Sequence, residues 1–173
     1  RKIIDTAKIL ELLDDGIKKS LKQAQTENND GMDLCLCRFE KMENENINVN
    51  FSGAKRPLFI YRDENNEIET IKPDRRSIGG KTKKRRTVDF TNQEFFIKNE
   101  DIIYLTTDGY IDQNNLERKR FGTKKFLEIT KKIARKNLQK QKEILEKELN
   151  NWMKIEKQRD DITVMGIKNI RLM

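Results

Sequence analysis

The sequence predicts an α+β fold in which helices are segregated to the faces of an antiparallel sheet. Three observations predict it. Apolar residues recur at three- and four-residue steps through residues 3–24, which marks an amphipathic helix. Short runs between residues 33 and 107 alternate with the period of strands. A long helical region at about 123–155 separates the last two strand-like runs, so helices and strands do not alternate as they do in parallel α/β folds.

The 173 residues suffice for one domain with a real core, and the whole chain, 1–173, reads as a single domain. The opening helix, about 3–24, rests on Ile3, Ala7, Leu10, Leu13, Ile17 and Leu21. Gly16 weakens its middle by roughly 1 kcal/mol without forbidding it. "TENNDG" then supplies turn residues. "DLCLCRF" and "NINVNF" flank a polar hairpin, and Ile47, Val49 and Phe51 alternate with asparagines, predicting a strand with one wet face. "PLFIYR" and "EIETI" flank a second hairpin at "DENN", and "TVDF", "EFFIK" and "IIYLTT" complete the strand-rich region, 33–107. In the helical insert, Phe126, Ile129, Ile133, Ala134 and Leu138 form one apolar stripe. Ile144, Leu145, Leu149, Trp152 and Met153 form another. The polar "KNLQKQK" between them predicts two helices or one kinked helix, and the final strand falls at 162–168.

Composition narrows the function classes. No apolar run approaches the roughly 20 residues that span a bilayer, and no signal-peptide pattern opens the chain. This predicts a domain without membrane contact in the cytoplasm, with a membrane-anchored parent still allowed. The only cysteines, Cys35 and Cys37, stand two apart on a predicted strand, which disfavours a mutual disulfide and points to buried thiols. With no histidine in the chain, a Ser-His-Asp arrangement around Ser52 is impossible and zinc lacks ligands. The net charge of +8 is mostly lysine spread over helices that also carry glutamate. The sharpest basic cluster, Lys81 to Arg86, has no interleaved aromatic residue, so no nucleic acid partner is expected. Gly79-Gly80 reads as a flexible loop.

Two acidic sites remain. Asp108, in "YLTTDGYIDQ", ends a strand, and Asp160 and Asp161, in "QRDDITVMGIK", precede another. If those strands pair antiparallel, the carboxylates meet at one rim of the sheet. Hard dications such as magnesium and manganese favour such oxygen ligands. Asp-Gly is also a common turn dipeptide, so the pattern alone leaves turn chemistry and metal binding both open.

The order of "DGMDLCLCRFE", "VNFSGAKRPLFIYR", "IKPDRRSIGG", "IIYLTTDGYIDQ", "RKRFGTKKFLEI" and "QRDDITVMGIK" resembles the bacterial metal-dependent, type 2C-like protein serine/threonine phosphatases of the stage II sporulation protein E type. "TTDGYID" and "RDDITV" are the most specific parts. The resemblance implies an antiparallel β-sandwich flanked by helices. It also implies two divalent cations, Mn or Mg, that activate a water against phosphoserine or phosphothreonine. By resemblance, Asp108 and Asp160 are metal ligands and no other residue is catalytic. Asp161 and Thr107 support the ligands, although β-branched strand packing also accounts for Thr107. Gly109 lets the backbone approach the site. Arg75, Arg76, Arg85 and Arg86 would dock a phosphorylated partner.

The family's other ligands lie in a "GD" and a "DxxGHG"-like segment ahead of the first helix, and neither is present. Asp5, Asp14 and Asp15 sit on a helix without the accompanying glycines, and Asp30 and Asp33 align with a strand start. The chain, which opens on Arg1, thus reads as the C-terminal portion of a phosphatase domain, incomplete at its N-terminus. It is expected to have an incomplete cation site and little or no activity. Its exposed sheet edge invites a homodimer. The implied partner of the parent is a small regulatory phosphoprotein of the anti-sigma-factor-antagonist type. The alternative is a degenerate phosphatase fold acting as a protein-binding module.

Overall fold

The computed structural model describes residues 5–43, 46–80 and 89–168, which divide into two compact units. The first comprises residues up to 58 together with 71–98. The second comprises 59–70 and the residues from 99 onward.

In the first unit, α1 (Thr6–Ser20) is capped by Asp5, whose side chain accepts from the Lys8 amide at 2.7 Å. Ala7, Leu10, Leu13 and Ile17 face Leu34, Leu36, Ala54, Ile78 and Phe90. Full burial of Leu10 alone contributes about 1.5–3 kcal/mol. The helix is shorter than predicted. It ends at Ser20, and Lys22 takes φ +49°, so Leu21 continues the stripe in sequence but is exposed.

A two-residue pair, β1 (Gly31–Met32) with β6 (Ile78–Gly79), lies beside α1. This corrects the flexible-loop reading of Gly79-Gly80. Gly79 takes φ +71°, and a Cβ there would stand 2.8 Å from Ile17 Cγ2. Its amide donates to Asp14 at 2.7 Å. The three-stranded sheet runs β2 (Leu34–Lys41), β3 (Ile47–Ala54), β7 (Gln93–Ile97), all antiparallel. The predicted wet face of β3 is only partly wet: Asn50 and Ser52 are buried, while the partners of Asn50, Glu94 and Asn92, are exposed. Asn50 donates to Glu94 at 2.7 Å and accepts from Asn92 at 2.9 Å, and the Ser52 and Thr6 hydroxyls lie 2.9 Å apart. Period-two alternation places asparagines on one face but does not decide whether water covers it. Cys35 and Cys37 are free and half-buried rather than buried, and burial pushes the Cys37 thiol up to about 12. Of "TVDF", residues 87–88 lie outside the described residues, and Asp89 and Phe90 form no strand.

The second unit holds the sheet β5 (Glu67–Ile71), β4 (Leu58–Arg62), β8 (Ile102–Thr106), β9 (Val164–Lys168), in that order. Its helices are α2 (Asp108–Asp112), α3 (Thr123–Ile133) and α4 (Leu138–Met153). Phe59, Tyr61, Ile102, Tyr104, Tyr110 and Phe126 pack with Leu145 and Leu149 into one core. The insert is two helices. Asn137 caps α4 by accepting from the Lys140 amide at 2.8 Å. The polar break has a structural use: buried Gln141 donates to the Ala134 and Lys136 carbonyls at 2.9 and 2.8 Å and accepts from the Tyr104 hydroxyl at 2.6 Å. Two carbonyls of the link that follows α3 are thereby satisfied.

Candidate functional site

β8 and β9 pair antiparallel, with Thr106 opposite Val164. The contact continues past the ladder. The Thr107 amide donates to the Thr163 carbonyl at 3.1 Å. The Thr107 hydroxyl donates to the Asp161 carbonyl at 3.0 Å and accepts from the Thr163 amide at 3.0 Å. A Cβ on Gly109 would lie 2.4 Å from the Asp161 carbonyl oxygen, so only a residue without one allows this approach. The segment of Asp108 and the segment of Asp160 and Asp161 therefore meet at one end of the strand pair.

Asp108 differs from its reading as a turn residue. It is the first residue of α2, with Thr107 as N-cap. A carboxylate in a first helical turn is favoured by the helix dipole. Asp108 is half-buried, while Asp160 and Asp161 are exposed. One Asp160 carboxylate oxygen accepts from the Asp161 amide at 2.7 Å.

A second clamp, absent from the sequence reading, holds the other side of Asp160. Gln113 is fully buried. Its side chain accepts from the Arg159 amide and donates to the Lys157 carbonyl, both at 3.1 Å, and its own carbonyl accepts from the Trp152 indole at 3.1 Å. The only sequence signal was a polar residue closing "YLTTDGYIDQ".

The expected docking arginines separate. Arg75 is exposed. Arg76 is turned inward: it pairs with Glu11 at 2.9 Å and with Asp14, and stacks 4.6 Å from the Phe90 ring centroid. Burial would raise the Asp14 carboxyl, but hydrogen bonds from Lys18, the Gly79 amide and Arg76 outweigh it and hold it below its usual range. Asp14 is thus a structural anchor of α1. Arg85 and Arg86 lie outside the described residues.

Asp108 and Asp160 bring hard oxygen donors of the kind that suits magnesium or manganese. Among the described residues, no group of three or more His, Cys, Asp or Glu side chains is placed to hold a metal ion.

Antiparallel sheets and helices in this arrangement are those of PP2C-type phosphatase domains. The SiaA PP2C domain of Pseudomonas aeruginosa matches with a TM-score of 0.74 at 27% identity, over 95% of this chain and 61% of that one. The phosphatase domain of the cell fate determinant SpoIIE from Bacillus subtilis matches over 100% of this chain and 77% of that one, with a TM-score of 0.56 at 14% identity. A Mycobacterium tuberculosis structure of RsbU and RsbW domains matches over 95% of this chain and 42% of that one, with a TM-score of 0.65 at 16% identity. The chain belongs to the stage II sporulation protein E (SpoIIE) family, whose model matches residues 1–169. No curated protein sequence matches it. The chain spans 61% of the length of the SiaA domain. No helix among the described residues is long and apolar enough to cross a membrane.

Proposed function

We propose that this chain is part of a cytoplasmic protein serine/threonine phosphatase, with Asp108 and Asp160 as two of the ligands of its divalent cations. Its substrate would be a small regulatory phosphoprotein of the anti-sigma-factor-antagonist type. The observation that carries the reading is the meeting of "TDG" and "DDIT" at the Thr107–Asp161 contact, 3.0 Å long, in a chain of the SpoIIE family. When bound, the cations would lower the pKa of water and neutralise phosphoryl charge. The chain's own contribution is positioning: Thr107 and Gln113 fix the backbone on either side of Asp160, and Gly109, next to Asp108, lets the backbone lie against the Asp161 carbonyl.

Two carboxylates do not make a binuclear centre, so residues 1–173 alone would turn over a phosphothreonine peptide at or near background. Robust manganese-dependent phosphate release by these residues would overturn that. A second reading is a degenerate phosphatase fold that binds a partner protein. It is distinguished by a lack of manganese binding.

A further inference from the structure

A pocket of about 430 Å³ in the first unit is lined by Lys55, Lys72, Pro73, Asp74 and Arg75. Its frame is firmly bonded. The Lys55 amide donates to the Asp74 carbonyl and the Asp74 amide to the Gly53 carbonyl, both at 2.9 Å. A Cβ on Gly53 would stand 2.7 Å from Pro73 Cβ, so the two segments pack with no room for a side chain between them.

The charges in the wall do not balance. The Asp74 carboxylate is engaged by the Thr91 amide at 2.8 Å and the Thr91 hydroxyl at 3.1 Å. Lys55 reaches Asp33 only at 3.9 Å, and Asp33 already takes Arg56 at 3.5 Å and the Ser77 hydroxyl at 2.7 Å. Among the described residues, no carboxylate pairs with Lys72 or Arg75, and both are exposed. Lys55 also holds φ +56°, a conformation uncommon for residues with a side chain. A cation stands at the rim where glycine or asparagine would fit the backbone better.

We propose that this pocket docks a phosphorylated side chain of a partner protein. A phosphoryl ester carries about −1.5 to −2 charge at neutral pH, which matches the cations Lys55, Lys72 and Arg75 offset by the one Asp74 carboxylate. A carboxylate ligand would leave a cation unmatched. The Arg75 fork can take two phosphoryl oxygens at once, and the lysines add charge without fixed geometry. No aromatic residue lines the pocket, so bases have nothing to stack on. The partner's kind rests on the phosphatase reading above, but the pocket itself needs no metal.

The test is a titration of residues 1–173 followed by NMR in the presence of EDTA. The probes are a phosphothreonine peptide, its unphosphorylated form, its glutamate-substituted form and a single-stranded oligonucleotide. The phosphopeptide is expected to shift the amide signals of Lys55, Lys72, Asp74 and Arg75 saturably. Its affinity should fall at least tenfold in Lys72→Ala with Arg75→Ala, at an unchanged melting temperature. Arg75→Lys should give an intermediate loss, and the distant pair Lys19→Ala with Lys22→Ala should give none. Equal binding of the glutamate peptide or the oligonucleotide, shifts confined to other surfaces, or an equal loss in the control pair would overturn the proposal. Because chelator is present throughout, failure here leaves cation binding at Asp108 and Asp160 intact, and failure of cation binding leaves this result intact.

Discussion

The Thr107 hydroxyl both donates to the Asp161 carbonyl and accepts from the Thr163 amide, each at 3.0 Å. One hydroxyl therefore fixes the acidic loop against the strand end that carries Asp108. Thr107→Val keeps the β-branched shape and removes both bonds. The exposed position lets water replace part of them, so the expected cost is about 1 kcal/mol by denaturant titration. Hydrogen exchange at the Thr163 amide should quicken. Unchanged exchange would mean that the hydroxyl does not hold the loop.

Gln113 is the buried counterpart on the other side of Asp160. Gln113→Leu leaves the Arg159 amide and the Lys157 carbonyl without their partner. The expected loss is about 1–3 kcal/mol, read as a lower denaturation midpoint. An unchanged denaturation midpoint would contradict its role as a buried clamp.

Glycine-to-alanine substitution separates steric from conformational effects. Nothing lies within 4 Å of a Cβ added at Gly16, so Gly16→Ala in α1 should stabilise by about 1 kcal/mol. At Gly109 the added methyl meets the Asp161 carbonyl at 2.4 Å, and backbone cannot swing aside as a flexible side chain does. Gly109→Ala should destabilise by about 1–3 kcal/mol. A rise in melting temperature in both variants would refute the close approach.

The Asp14 cluster makes stability depend on acid. Its folded carboxyl is held below the ordinary value of 3.8. The contribution is therefore complete above that value and lost as pH falls through the lower folded one. At neutral pH, Asp14→Asn removes the buried carboxylate that Arg76 and Lys18 share and should cost about 3–5 kcal/mol. Denaturation from pH 8 down to roughly pH 3 should show the gap between the two proteins constant at first, then closing below about pH 4. A gap that closes near neutrality instead would assign the effect to another group.

Much of this arrangement was legible in the sequence because the signals were periodic or paired. The stripe on α1, the split between α3 and α4, and the strand ends at "TDG" and "DDIT" all follow from spacing. The rest was hidden for identifiable reasons. α2 has five residues, too few for a period, and Asp-Gly reads first as a turn. The buried Asn50 network looks the same in sequence as a solvated face. Arg76 and Arg75 are neighbours of one residue type, yet only tertiary packing decides that one pairs with Asp14 and the other faces the pocket. Gln113 acts through single hydrogen bonds, which leave no pattern.

The proposed function requires Asp108 and Asp160 to belong to one cation site. Paramagnetic broadening of amide signals by substoichiometric manganese tests it most directly. Signals from Thr107 to Gly109 and from Asp160 to Ile162 should broaden first, and Asp108→Asn and Asp160→Asn should each abolish the effect. Broadening centred elsewhere, or broadening at these amides that survives both substitutions, would contradict it.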